Sequence, residues 1–375
     1  MRVHVAWHNV FQNKKRTLAA VGGISFSILL VFMQLGFLDA TRTAAASLFQ
    51  IFDYDLGLVS ERYKFLGAPD SFDRMRLTQA LVLPEVEAAA SLRIARGSWK
   101  DLATKSTSQL LIFGIPVEPR FIRDPGVRAG LETLRKNNAV MVDLFSHKDY
   151  GDLSVGKEVE VNGKSVSIAS HFRLGVTLFS EGCVIVSSDD FSRLTLESGR
   201  TVSYGFLRLR PGSDPVRVRD RLKGVLPDDV LIFTKKEMIQ QEQDYFLSVK
   251  PVGVIFQVGV LVAFIVGVVI LFQVLNTDIT TRLDEFATLK AMGFGDWSIY
   301  GIGIQQAMLY ALMGYFPSLL LGFVVFHVVH LLSRIPMNLD FPMALFVFSM
   351  SLLMCVLSCI LGLQKVKKTD PAELY

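Results

Sequence analysis

Four stretches of the chain carry no Asp, Glu, Lys or Arg: Thr17–Leu38, Pro251–Thr277, Trp297–Ser333 and Phe341–Gln364. They are 22, 27, 37 and 24 residues long, and a helix needs about 20 to cross the hydrocarbon core of a bilayer. Each therefore predicts one transmembrane helix. The third is too long for one crossing and too short for two with a turn. Pro317 stands near its middle, which predicts a single kinked helix running on into an outer segment. Lys14-Lys15-Arg16 before the first stretch and Ala44-Ala45-Ala46 after it imitate a cleavable signal. The apolar run exceeds the 7–15 residues of a signal core, and an uncleaved helix is expected.

Between the first and second spans, residues 39–250 show soluble patterning. Asp55–Ser60 and Ser108–Ile115 predict strands, and Pro84–Arg96 predicts a helix with Gly97 after it. The same order recurs with a strand at Gly205–Leu209, a helix at Ser213–Val225 capped by Ser213, and a strand at Asp229–Phe233. Val159-Glu160-Val161 and Val166-Ser167-Ile168 alternate around Asn162-Gly163, a strong hairpin signal. The domain thus reads as a mixed lobe built from both chain ends, with a small β-rich lobe inserted at about 139–190. Lys235–Lys250 predicts a polar helical stalk entering the second span. The fold class expected is an α-helical membrane protein with four transmembrane helices and an inserted α+β two-lobed extracytoplasmic domain. Its segments are 1–16 (interfacial helix), 17–38, 39–250, 251–277, 278–296 (cytoplasmic loop), 297–333, 341–364 and 365–375 (tail).

Charge sets the orientation. Arg2, Lys14, Lys15 and Arg16 precede the first helix, Arg282 and Lys290 lie in the second loop, and Lys365, Lys367 and Lys368 in the tail. The short loop before the fourth helix has only Arg334. Basic residues concentrate in short cytoplasmic segments, so both termini and the 278–296 loop face the cytoplasm. Of 375 residues 51% are hydrophobic and 20% charged, with a net charge of +4. That fits a mixed membrane and soluble architecture and gives nucleic-acid binding no support.

Candidate chemistry is sparse. Gly151-Asp-Leu-Ser-Val-Gly156-Lys157-Glu158 approaches a phosphate-binding loop. Glu158 stands where the magnesium-holding hydroxyl belongs, and a hairpin follows instead of a helix. His4/His8, His327/His330 and Cys355/Cys359 share helix faces, each without a third ligand nearby in sequence. Cys183 stands alone in the polar middle, so the three cysteines make no disulfide framework. No catalytic constellation, cofactor site or metal site is expected. Charge-free spans argue against an ion-coupled transporter.

Two segments carry more. In residues 3–16, Val3, Trp7, Val10 and Phe11 share one helical face that ends in basic residues, as in a helix lying among lipid headgroups. In the loop 277–296, Phe286, Leu289 and Met292 form an apolar stripe beside Asp284 and Glu285, with Gly293 as a plausible stop. Such a helix rests on the membrane or docks in a partner's groove.

Residues 6–24 (AWHNVFQNKKRTLAAVGGI) resemble the N-terminal signature of MacB/FtsX-type ABC permeases. Residues 283–294 (LDEFATLKAMGF) resemble their coupling helix, and the tail KVKKTDPAEL resembles their closing motif. Tyr245–Phe256 and the compact outer domain are most similar to the DevC-like branch. Phe286 departs from the small or β-branched residue usual there. The resemblance implies a mechanotransmission permease without catalytic residues or cofactor. Its partners would be a separate ABC ATPase, a second permease copy, membrane lipids, and a periplasmic adaptor with an outer-membrane channel. The location would be a bacterial inner membrane. ATPase coupling would fall to Asp284, Glu285, Phe286, Leu289, Lys290, Met292 and Gly293. The cargo implied is a lipid, glycolipid or small hydrophobic compound. A lipoprotein-extracting permease and an FtsX-like signalling permease that regulates a cell-wall hydrolase stay open as alternatives.

The topology is testable. Cysteines introduced within residues 100–240 should react with an impermeant reagent from outside. Labelling only after permeabilisation of the membrane would overturn the orientation.

Overall fold

The computed structural model describes residues 14–174, 182–281, 296–333, 335 and 337–368. It divides into two compact units, one of residues 1–40, 252–333 and 337–375 and one of residues 41–251 and 334–336.

The first unit is helical. Helix α1 spans Lys14–Ile51. It does not stop with the apolar run at Leu38. Ala44, Ala45 and Ala46, the imitation cleavage site, are helical and buried, as suits their high helix propensity. Among the described residues four helices have the length and hydropathy to cross a membrane. Three of them lie in the C-terminal third. They are Pro251–Thr281, Asp296–Ser333 and Phe341–Lys368, which become α7, α8 and α9 once the helices of the second unit are counted. Pro317 lies inside α8 without breaking it. The Ser318 hydroxyl donates to the carbonyls of Gly314 and Tyr315 at 2.8 Å each, a way of satisfying carbonyls near a helical proline. The Asp340 side chain accepts from the Met343 N–H at 3.1 Å, which caps the start of α9.

Inside this unit small residues let backbones approach. The Ser25 hydroxyl of α1 donates to the Gly314 carbonyl of α8 at 3.0 Å. A Cβ added at Gly314 would stand 2.6 Å from the Ile24 side chain. The Ser358 hydroxyl of α9 reaches the Val268 carbonyl of α7 at 2.8 Å, and the Tyr315 hydroxyl reaches the Ala344 carbonyl at 2.9 Å.

The second unit is built on one nine-stranded sheet in the order β11-β1-β10-β3-β4-β8-β5-β7-β6. Its strands are β1 (Leu56–Ser60), β3 (Val86–Lys100), β4 (Thr107–Ile115), β5 (Ala139–Asp143), β6 (Glu158–Val161), β7 (Lys164–Phe172), β8 (Cys183–Ser187), β10 (Tyr204–Leu209) and β11 (Val230–Thr234). Short β2 (Phe72–Asp73) and β9 (Thr201–Val202) pair apart from it. β6 also pairs with β3 at Trp99 and Lys100, so β3-β4-β8-β5-β7-β6 closes on itself as a barrel. The β-rich stretch expected at about 139–190 supplies β5 to β8, and they close the barrel only with β3 and β4 from outside that range.

The helix expected at Pro84–Arg96 is instead β3. The alanines in that segment favour a helix intrinsically, but its burial alternates along Val86–Ala90 as on a sheet, and β10 and β4 bind its two edges. Packing overrode propensity. The helix of this region is shorter and earlier, α2 at Met75–Ala80. α3 covers Pro125–Gly130 and α4 Ser188–Thr195. α5 covers Pro215–Lys223 and is capped by Asp214, which accepts from the Val216 N–H, and not by Ser213. Proline at the first position with Asp before it makes this the better cap. The hairpin at Asn162-Gly163 forms as expected, with φ of 51° and 74° at the two positions, the geometry of a type I′ turn.

Three cores follow from this topology. Leu56, Leu58, Leu207 and Ile232 on one face of the open sheet meet Leu77 of α2 and Val218 and Leu222 of α5. On the other face, Leu92, Phe113, Ile185, Tyr204 and Phe206 pack with Phe49 of α1 and Phe52 just beyond its end. The third core lies within the barrel ring and contains Trp99, Ile112, Val140, Val159, Ile168 and Val184. Trp99 is fully buried, and its indole N–H donates to the Tyr150 carbonyl at 3.1 Å. Trp99→Ala should cost about 3–5 kcal/mol, whereas truncating the exposed Leu102 should stay within about 0.5 kcal/mol. Thermal unfolding of the two variants checks the contrast.

Candidate functional site

Every residue assigned to ATPase coupling, Asp284, Glu285, Phe286, Leu289, Lys290, Met292 and Gly293, lies outside the described residues, as does residues 1–13 of the interfacial helix. The flanks are defined. At the end of α7 the hydroxyls of Thr277, Thr280 and Thr281 donate to the carbonyls four residues back, each at 2.7 Å, and α8 resumes at Asp296.

The loop that imitates a phosphate-binding motif is a structural clamp. Gly151 adopts φ of 75° and Gly156 of 89°, a left-handed backbone that glycine tolerates. The Lys157 ammonium pairs with the Asp101 carboxylate at 2.9 Å, and Asp101 is 1% exposed. Asp101 also accepts from the Thr104 hydroxyl at 3.0 Å and from the Ala103 N–H at 3.2 Å. Burial alone would raise this carboxyl. The lysine and the two hydrogen bonds outweigh it and hold the group below the ordinary carboxylate range. The lysine that would meet a phosphate is thus committed to fastening the β3–β4 turn to the loop before β6.

Cys355 donates to the Ala307 carbonyl at 3.3 Å, and it and Cys359 are buried in the helical unit. Cys183 is buried beside Asp143, at 3.8 Å. Its thiol is pushed up by burial first and then by that carboxylate, so it behaves as an inert core residue. Among the described residues no three His, Cys, Asp or Glu side chains gather as a metal site.

One place in the outer unit combines several uncommon features: the segment leading to Pro251, where α7 begins. Helix α6 (Lys235–Asp244) opens with a capping box in which Thr234 and Glu237 exchange hydrogen bonds. Glu237 is also paired with Arg219 of α5. The chain then widens into a π-helical turn, Tyr245–Val249, a feature that concentrates at functional positions. Lys250 is extended, as a residue before proline tends to be.

An aromatic clasp grips this turn. Phe65, on the loop after β1, stacks on Tyr245 with centroids 4.6 Å apart and meets Phe246 edge-on at 5.8 Å. The Lys250 ammonium lies 4.5 Å above the Phe65 ring and 5.7 Å from that of Tyr245, a cation–π arrangement worth about 0.5–2 kcal/mol. Beneath it, Tyr54 stacks on Phe206 at 4.5 Å, and the Tyr204 hydroxyl donates to that of Tyr63 at 3.0 Å. Sequence patterning foresaw a stalk here and missed the clasp. Its signal was the i, i+4, i+8 series Met238, Glu242, Phe246, an apolar stripe with a carboxylate in the middle.

Known proteins resemble parts of the chain. Residues 258–371 match the family described as FtsX-like permease C-terminal. No curated protein matches the chain. Among solved structures, the periplasmic region of MacB from Actinobacillus actinomycetemcomitans aligns at 10% identity and a TM-score of 0.37, covering 51% of this chain and 93% of that one. The extracellular domain of the noncanonic ABC-type transporter YknZ from Gram-positive bacteria aligns at 11% identity and 0.31, over 48% and 98%. A domain of a putative permease protein from Porphyromonas gingivalis aligns at 15% and 0.30, over 49% and 87%. The FtsX-like match does not reach the DevC-like branch.

Lys157→Ala should destabilise the outer unit by about 1–3 kcal/mol, because it leaves a buried acceptor short of its donor. Asp101→Asn combined with Lys157→Ala should recover part of that loss. The Asp101 contribution is present above the ordinary carboxylate range and fades as pH falls through its lowered value. Chemical denaturation at neutral and acid pH checks both expectations.

Proposed function

We infer that this chain, a permease of the MacB/FtsX type, transmits the work of a separate ABC ATPase across the membrane to its outer domain. The motion drives a lipid, glycolipid or small hydrophobic compound into an adaptor and an outer-membrane duct. The observation that carries this reading is the match of residues 258–371, a stretch that takes in most of α7, all of α8 and α9, and the loop between α7 and α8. The charge-free runs support it too, since they offer no ionisable relay for an ion-driven cycle.

Two copies of the chain would act together in a bacterial inner membrane, each set on one ATPase subunit. Residues 283–294 form the coupling helix. Phe286, Leu289 and Met292 fill a groove of the ATPase, Asp284, Glu285 and Lys290 line its rim, and Gly293 ends the helix. A buried apolar anchor of this kind costs about 2 kcal/mol or more when truncated, whereas an exposed ion pair at the rim adds about 0–1 kcal/mol.

Leu289→Ala with Met292→Ala should release the ATPase during purification and uncouple ATP hydrolysis from transport, while the chain still inserts into the membrane. Unchanged co-purification and unchanged coupled hydrolysis would remove the coupling assignment.

A further inference from the structure

Among the described residues Glu242 is a buried carboxylate with no ion-pair partner. It lies in the last turns of α6, is 0% exposed, and neither carboxylate oxygen has a hydrogen-bond partner. Buried carboxylates are ordinarily paired or hydrogen-bonded, because an isolated charge in an apolar core is very costly.

The surroundings offer no replacement. α6 packs against β11, β1 and the π-helical turn, and its Gln243 side chain donates to the Arg42 carbonyl of α1 at 3.4 Å. β11 (Val-Leu-Ile-Phe-Thr) brings no titratable side chain. The lead-in to β1 brings Tyr54, whose hydroxyl donates to the Met238 sulfur at 3.5 Å. The π-helical turn brings Tyr245, stacked on Phe65. On the loop after β1, Tyr63 is taken by Tyr204. The Leu66 main-chain N–H points toward Glu242 but falls short of hydrogen-bond geometry. Nearby cations are engaged elsewhere. Lys250 sits over Phe65, Arg219 pairs with Glu237, and Lys235 donates to the Phe52 carbonyl at 2.6 Å. Lys235 also interacts with Arg123, Asp53 and Asp55. Among the described residues no Lys, Arg or His forms an ion pair with Glu242.

We propose that Glu242 is a proton-binding latch of the clasp. Protonated, it stays in the core and keeps α6 and the π-helical turn fastened against the loop after β1. Ionised, it withdraws from the core and frees the segment that ends at Pro251. The proton goes to solvent as the segment opens and returns as it closes.

The electrostatics agree in sign. Burial pushes the carboxyl up to about 8, with the Leu66 N–H opposing. In the opened segment the group returns to the ordinary carboxylate range, so opening releases one proton wherever pH lies between the two values. Closure is strongest below the ordinary range, weakens as pH rises toward about 8, and levels off above it. Its use as a regulator of coupling rests on the permease reading, whereas proton binding does not. Loss of the coupling-helix effect would therefore leave this proposal standing.

Hydrogen exchange of the full chain in lipid nanodiscs, followed from pH 5 to 9, tests the latch. After correction for intrinsic chemistry, opening of residues 235–250 should rise with pH by up to about tenfold per unit and flatten above about pH 8. Glu242→Gln and Glu242→Leu should each give a flat profile. Equal slopes in the natural chain and in either variant would overturn the proposal. Infrared titration of the natural chain needs no variant. A protonated-carboxyl band that persists at pH 7, where ordinary carboxyls are ionised, and bleaches toward pH 9 is the expected result. Absence of that band at pH 7 would overturn the latch as well.

Discussion

β3 pairs with β10 through Val86–Leu92 and with β4 through Arg93–Lys100, so a single strand joins the open part of the sheet to the part that closes as a barrel. Its first half lies in the open sheet, whose outer face α2 and α5 cover. Its second half is a stave of the closed barrel, with Trp99 directed into the barrel core. Neither half can turn about the strand axis alone, because a one-residue slip would send every side chain to the wrong face. The outer unit therefore behaves as one body. Its barrel has no free edge to open, and the Lys157–Asp101 pair pins the turn that follows β3. Compliance is left to the segments that hang from the sheet, and the aromatic clasp sits on one of them.

The helical unit is held by a different balance. Its helices meet through hydroxyl and thiol groups that donate to carbonyls of neighbouring helices, as Ser25, Ser358, Tyr315 and Cys355 do. Such bonds average only about 0.6 kcal/mol each in a membrane. The rest is close packing at small residues such as Gly314. An interior of this kind lets helices slide without separating buried charges, which would cost several kcal/mol per ion.

Much of this was legible in the chain, and the reasons differ by region. The charge-free runs stood out because lipid imposes one long, uniform requirement on a spanning helix. Asn162-Gly163 marked its hairpin because few residue pairs take a left-handed backbone at both positions. Pro84–Arg96 misled because alanine favours a helix locally, while the strand is dictated by β10 and β4, more than 100 residues away on one side. Barrel closure through Trp99 and Val161 was likewise invisible, since ladder closure leaves no local mark. The coupling residues lie outside the described residues; their apolar stripe stands in the sequence, and the ATPase role assigned to them comes from resemblance. The clasp was missed because Phe65 and Tyr245 are 180 positions apart in sequence.

The placement of the costly group carries the last step. A protein can bury a carboxylate cheaply where a lysine or arginine will pair with it, as Asp101 is paired with Lys157. Glu242 has no such partner among the described residues, yet it stands in the stretch where the chain leaves the sheet, passes through a π-helical turn and starts a helix at Pro251. Swapping it for a hydrophobic residue of similar size should favour a rigidly closed clasp, since apolar packing usually matches or exceeds a buried polar group in stability. The costly group therefore lies in the segment that leads to Pro251 and not in the barrel core.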